Sequence, residues 1–448
     1  MIVVMVNKIM FNSALLIILS AITCLDLGAT ARVYVNIGSP AFKKPVLAVY
    51  SKCEDTACPE LKNVEDVLKS DMTRSNTFII LPYETTPTEE QKESLLAWKV
   101  SGAEYLINLD FRSRTVRVKL IGLTMGEDIV NESIKKQGSY IDTAHEISAI
   151  IYRKLTNEPS VFKSKIAMIC STDNNRYKNL FVMDYDGRRL KQLRSYKSIS
   201  ISPSWSPNGK YIAYTRYVKK YYRGKGKIIN QAIYRYNVSR KKEFLLIDGL
   251  GQNSGVAWSP DSKSIAFTMS KQADPDIYII DINSKDPKPL IKDVGLDVEP
   301  SFSSDGKFVV FSSSRSGQPE LYKIELENGA QTRLTFSRHY NSSPSWSPMG
   351  DMIAFSGLDN PFGKGSGSKF DIFLVNPYGT KIERLTIDSG NNENPSWAPN
   401  GRHIVYSSTR NKGSDIYMVN SDGTGEIRLT TGLRCYSPSW SSLDPSSM

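Results

Sequence analysis

Histidine is scarce in this chain. Only His145, His339 and His403 occur in 448 residues, which leaves little material for the general acid–base pairs most hydrolases use. No Gly-x-Ser-x-Gly nucleophile elbow is present. Gly363-Lys364-Gly365-Ser366-Gly367 lacks the spacing of a phosphate-binding loop, and Gly249-Leu250-Gly251 does not open a helix as a dinucleotide fingerprint must. No Cys-x-x-Cys pair suggests a redox or zinc centre. After the first 31 residues no apolar run approaches the ~18 residues a spanning helix needs. These absences point away from catalysis, cofactors, metals and a membrane-embedded body, and toward a binding protein.

The first 31 residues have a different composition. Lys8 supplies a positive start, Ala14-Leu15-Leu16-Ile17-Ile18-Leu19 an apolar core, and Ala29-Thr30-Ala31 a small-x-small cleavage site. Residues 1–31 therefore read as a signal peptide, with the mature chain starting at Arg32. Export makes disulfides possible, and cleavage leaves Cys53, Cys58, Cys170 and Cys435 as candidates. Cys53 and Cys58 are spaced for a small loop staple. The formal net charge of +11 suits anionic neighbours without naming one. The basic run Lys219-Lys220-Tyr221-Tyr222-Arg223-Gly224-Lys225-Gly226-Lys227 reads as a solvated hairpin, and export argues against nucleic acid as its partner.

Residues 32–160 mix strand and helix periodicities. Val33, Val35 and Ile37 alternate, and Val46–Tyr50, Phe78–Leu81 and Tyr105–Leu109 form further strands, followed by a hairpin beginning at Val116–Ile121. Helical spacing occurs over Pro59–Ser70, Glu89–Lys99 and Thr143–Leu155. An α/β domain with its own core is expected, linked through residues 156–160.

The remainder, 161–448, is repetitive. Pro203-Ser204-Trp205-Ser206-Pro207-Asn208-Gly209-Lys210 recurs in variant form around Trp258, Phe302, Trp346, Trp397 and Trp440, at steps of 53, 44, 44, 51 and 43 residues. Each aromatic turn precedes an apolar strand, and a second strand such as Ile277-Tyr278-Ile279-Ile280-Asp281 follows. That period and content specify β-propeller blades. The first blade starts at Lys165–Cys170 without an aromatic turn, and the chain ends just after a turn without a strand. The C-terminal strand should therefore complete the first of six blades and close the ring. Cys170 and Cys435 then lie nearly opposite on neighbouring strands, which leaves both a bridge and two buried thiols open.

Polar loops join each blade's last strand to the next aromatic turn and gather at one mouth of the ring. They carry Gln252, Asn253, Asp297, Glu299, His339, Tyr340, Asn391, Glu393 and Arg434, the candidate partner-binding residues. A competing reading, a secreted metal-dependent propeller hydrolase of lactonase type, would need Asp297, Glu299 and Glu393 to converge on a cation.

Taken together, the chain resembles the TolB family, the periplasmic components of the Tol-Pal system of Gram-negative bacteria. The likeness rests on the 203–210 motif, Asp-Ile-Tyr at 276–278 and 415–417, and Arg-Leu-Thr at 333–335, 384–386 and 428–430. In the first module it rests on Leu68–Ser75 with Phe78, on Ala97-Trp98 ahead of Gly102–Leu106, and on Ile151–Thr156. Phe302 in place of Trp, and Gln252 in a mouth loop without histidine, depart from the pattern. The resemblance implies a monomeric, non-enzymatic adaptor, peripheral to the membrane and without a cofactor, acting in outer-membrane integrity, cell division and protein import. It implies that the propeller mouth binds the lipoprotein Pal and that the mature N-terminus, Arg32, Val33, Tyr34, Val35, Asn36 and Ile37, binds TolA. Other outer-membrane proteins could join these partners. An extended segment of this kind suits pairing with a partner's sheet edge.

Overall fold

The computed structural model describes residues 43–53, 60–112, 114–136, 138–222, 226–270, 274–336, 340–358, 369–387 and 389–443. The leader, the segment 32–37, Cys58 and His339 lie outside the described residues, and Cys53 takes part in a disulfide.

The first module is a five-stranded sheet in the order β2-β1-β3-β4-β5, built from β1 (Val46–Cys53), β2 (Ile79–Ile80), β3 (Tyr105–Phe111), β4 (Thr115–Gly122) and β5 (Glu127–Lys135). β1 pairs in parallel with β2 and β3, and β3, β4 and β5 are antiparallel. Helix α1 (Leu61–Arg74) buries Val64, Val67, Leu68, Asp71 and Met72, the positions a single helical face offers. The periodicity over 89–99 condenses into a 3-10 turn at Glu89–Gln91 and a short helix α2 (Leu95–Val100). Ser94 interrupts it, because its side chain accepts the Ala97 N–H and starts a new helix. Helix α3 (Tyr140–Thr156) begins earlier than the apolar pattern suggests, since Ser139 and Asp142 form a reciprocal capping box.

Six four-stranded sheets follow. The first combines β6 (Lys165–Thr172), β7 (Tyr177–Asp184) and β8 (Lys191–Gln192) with the C-terminal strand Cys435–Trp440, as the repeat phase predicts. Cys435 is directly opposite Cys170, and the two form a disulfide spanning 265 residues of sequence. The second contains β9 (Ser200–Trp205), β10 (Tyr211–Tyr222), β11 (Gly226–Asn237) and β12 (Lys242–Ile247). In every blade the strand ending in the aromatic is at the inner edge of the sheet, and these six inner strands pack side by side around the ring.

The repeated phrase is explained by bonds between blades. Ser301, Ser396 and Ser439, each just before the aromatic, accept through Oγ the backbone N–H of Trp346, Trp440 and Trp205 in the next blade, at 3.0–3.1 Å. The indoles of Trp258 and Trp397 donate back to the Ser204 and Ser345 carbonyls at 3.0 Å. Ser206 and Asn208 then tie the turn: Tyr211 N–H donates to Ser206 Oγ and Lys210 N–H to Asn208 Oδ1. Gly209 in that turn has φ 66°, a conformation glycine adopts without steric cost.

Arg-Leu-Thr is equally physical. Arg333, Arg384 and Arg428 pair with the buried acids Glu320, Asp371 and Asp415 at the start of the neighbouring strand. The Thr hydroxyls accept the N–H of Leu321, Ile372 and Ile416, each at 2.9 Å.

The sheet module and the ring do not keep separate cores. One apolar cluster runs from Leu68, Met72, Ile147 and Ile151 through Phe162 to Met168, Val405, Ile416 and Met418. A second cluster around Trp98 and Leu106 belongs to the sheet module alone.

Two outcomes test this framework. Replacing Cys170 and Cys435 by Ser should lower unfolding free energy by roughly 2–4 kcal/mol, read from urea titrations, and reductant should give no further loss attributable to the ring. Arg384→Ala, which leaves the Asp371 carboxylate buried without its cation, should cost about 3 kcal/mol in the same titration.

Candidate functional site

The two ends of the ring differ. The first residue of each inner strand marks one end and the aromatic the other, since Ser200 pairs with Arg216 and Trp205 with Ile212. The sheet module occupies the aromatic end. There Arg402 grips the Glu158 carboxylate, Trp440 Nε1 donates to Ser164 Oγ at 2.8 Å, and Arg74 donates to the Asp186 carbonyl at 2.9 Å. The opposite end, the mouth, is formed by the loops that enter the inner strands.

Mouth and channel meet at a recurring backbone feature. The third residue of every inner strand has positive φ: Ser202, Gly255, Glu299, Ser343, Asn394 and Ser437, at 46–61°. The ladder register shifts at the same place in all six blades, as at a β-bulge. The bulge links the third side chain to the neighbouring blade. Ser343 N–H donates to Glu299 Oε2 at 2.6 Å, Asn394 Nδ2 to Ser343 Oγ at 3.0 Å, and Ser437 Oγ to Asn394 Oδ1 at 3.3 Å. At Gly255 an added Cβ would sit 3.2 Å from Thr268 Oγ1 and 3.4 Å from the Glu299 backbone nitrogen, so this blade gives up the side chain for a close approach.

The structure sorts the sequence-predicted residues into two groups. Asn253 and Asp297 open their inner strands and are fully buried. Asn253 Nδ2 donates to the carbonyls of Gln231 and Gly249, and both Asp297 carboxylate oxygens accept from Arg315 Nη2, at 2.9 and 3.0 Å. Both are framework beneath the rim, alongside Asn341 and Asn392, which donate to the buried acids Glu320 and Asp371. Asp297 is held by Arg315, and among the described residues Asp297, Glu299 and Glu393 do not bring their oxygens together as a metal-holding group.

Glu299, Tyr340 and Glu393 are near enough to feel one another's charge. Burial raises the Glu299 carboxyl above its ordinary range, and burial together with the Glu299 charge raises Glu393. The Tyr340 phenol is raised by burial and by both carboxylates. Its ring stacks edge-on against Phe370, centroids 5.6 Å apart, while 42% of the residue stays exposed. Around this centre, Gln252 is partly buried and donates to Ser254 Oγ at 3.1 Å, Asn391 accepts the Phe370 N–H at 3.1 Å, and Arg434 is exposed. The sequence reading missed Ser343 and Asn394, whose place in the repeat, just before proline, was the available signal. The other two histidines are structural. His145 Nδ1 is 2.9 Å from Asp71 Oδ2, and burial pushes the His403 imidazole down to about 4.

A carboxyl raised in the folded state destabilises it as pH climbs from the ordinary glutamate value through the raised one, and the cost persists above. Glu393→Gln should therefore raise the urea midpoint at pH 8. That gain should shrink as pH falls through the carboxyl titration; a pH-independent effect would contradict a Glu393 carboxyl raised by burial and by Glu299.

Comparison with known proteins agrees with this architecture. The family model described as the TolB beta propeller domain matches residues 152–444. The Tol-Pal system protein TolB of Alcanivorax borkumensis is 28% identical over 222 residues, 47% of this chain and 49% of the relative. That of Polaromonas sp. (strain JS666) is 31% identical over 235 residues, 50% of this chain and 52% of the relative. The chain thus spans about half the length of these curated relatives. The crystal structure of TolB from Acinetobacter baumannii superposes with a TM-score of 0.75 at 24% identity, covering 90% of this chain and 97% of that one, a likeness of fold. The six-bladed ring closed by its C-terminal strand and the matched family model lead to one conclusion: the chain belongs to the TolB β-propeller family.

Proposed function

We propose that this protein is a periplasmic adaptor of the Tol-Pal system, docking the lipoprotein Pal at the propeller mouth and TolA at the mature N-terminal segment 32–37. The observation that carries this reading is the half-exposed Tyr340, packed edge-on against Phe370 at the end of the ring left clear by the sheet module, three residues before the Ser343 that binds Glu299. A half-exposed aromatic beside partly desolvated carboxylates, rimmed by amides, is the composition of a protein-recognition centre. Gln252, Asn391 and Arg434 form its polar surround. The names of the relatives, each a Tol-Pal system protein, supply the system. No helix among the described residues is long and apolar enough to cross a membrane. Its work is to hold two envelope proteins in relation, which requires a rigid mouth and no chemistry.

Calorimetric titration of the chain from Arg32 onward with the soluble domain of Pal from the same cell tests the reading. Saturable heat is expected, and Tyr340→Ala and Glu393→Ala should each weaken binding by about tenfold, or roughly 1.4 kcal/mol. Removing residues 32–37 should abolish TolA binding and leave Pal binding intact. An absence of heat at roughly 50 µM, a binding free energy weaker than about −6 kcal/mol, would overturn the mouth assignment.

A further inference from the structure

The second blade carries a feature the mouth does not use. Its two middle strands, β10 and β11, are 12 residues each, against six in the next four blades. Ser200 at the rim pairs with Arg216, so the ribbon from Tyr217 onward stands beyond the mouth end of the ring. Six residues at ~3.3 Å each give a projection of about 20 Å.

The pairing register sorts this ribbon into two faces. Residues directly opposite in an antiparallel pair share a face, as do residues two apart. Lys219 pairs with Ile229, Tyr221 with Lys227 and Tyr217 with Gln231, so these six lie together. Lys220 with Ile228 and Val218 with Asn230 form the other face. That second face turns inward: Lys220 pairs with Asp248, and Asn230 is buried and bonded to the Asp248 and Gly249 carbonyls. The first face turns outward, with Lys219 and Lys227 exposed, Tyr221 77% exposed and Ile229 68% exposed. No Asp or Glu is among its six residues.

We propose that this outward face is a contact for an anionic lipid bilayer surface. Large exposed apolar side chains alternating with lysines suit a membrane interface: the ammonium groups meet headgroup phosphates while Tyr221 and Ile229 enter the headgroup–acyl boundary. A protein partner fits less well. A two-stranded ribbon with four exposed outward side chains offers far less than the ~800 Å² per partner of a stable protein interface, whereas a continuous charged sheet needs no matching shape. The net charge of +11 orients the whole molecule toward such a surface. The contact is independent of what the mouth binds.

Flotation of the chain from Arg32 onward with vesicles tests it, using phosphatidylglycerol–phosphatidylethanolamine against phosphatidylcholine alone. Binding is expected on the anionic vesicles only and should fall steeply when salt rises from 50 to 500 mM, over which the Debye length shortens from about 14 Å to about 4 Å. Each lysine near an anionic surface is worth roughly fivefold, so Lys219→Ser with Lys227→Ser should lower partitioning by about 25-fold. Tyr221→Ser with Ile229→Ser should weaken it without changing its salt dependence. Thermal melts of both double variants should match the parent, since these side chains are exposed. Equal binding to neutral vesicles, unchanged binding of the lysine variant, or no binding to either vesicle would overturn the proposal, the last pointing to an acidic protein as the partner.

Discussion

Closure of the ring is the constraint on which the rest depends. The strand Cys435–Trp440 lies along β6 and supplies the first blade with its inner edge. Without it, two inner edges would be left open and the serine–tryptophan bonds that run between blades would break at that seam. Trp205 N–H, for instance, donates to Ser439 in that same C-terminal strand. The Cys170–Cys435 disulfide sits at the mouth end of this pairing. It converts a contact between residues 265 apart in sequence into a covalent one. Loop-closure entropy is largest for such contacts, so a bond there restricts the unfolded chain most.

Closure also fixes what each end of the ring can do. At the aromatic end the sheet module and the ring share one apolar cluster, threaded by a buried polar group. Asp71 on the apolar face of α1 accepts the Tyr185 hydroxyl at 2.5 Å and contacts His145 of α3, while Arg188 pairs with Asp186. Buried polar groups tied to each other across a seam set its register more firmly than apolar packing alone. That leaves the mouth as the end where loops are free to vary. The bulges from Glu299 through Ser343 and Asn394 to Ser437 join neighbouring blades beneath those loops, so Tyr340 and Glu393 rise from a rigid base.

Much of this was legible because repeats reinforce one another. One Pro-Ser-Trp-Ser-Pro-Asn-Gly phrase is a turn; six at blade spacing are an architecture, and the missing half-repeat at each end foretold the closing strand. Even the offset of Cys435 from Trp440 matched that of Ser200 from Trp205, which is why the two sulfurs could be placed opposite each other. The site was less legible. Asn253 and Asp297 have the polar character of rim residues, yet their bonds to Gln231, Gly249 and Arg315 draw them inward. Exposure depends on partners distant in sequence, and composition does not reveal it. Glu299 stands two residues from Asp297 but faces the neighbouring blade, because the positive φ reverses the strand's alternation. Asp71 lies just past the helical spacing read over 59–70, and its role as a seam contact to Tyr185 and His145 was not legible there.

Amide hydrogen exchange of the mature chain, with and without the soluble domain of Pal, tests the mouth assignment most directly. Protection should rise in the loops around Gln252, Tyr340 and Asn391 and stay unchanged in the aromatic turns at 206–210 and 398–402. Protection confined to the aromatic turns or to the sheet module would place the partner at the wrong end of the ring and contradict the account.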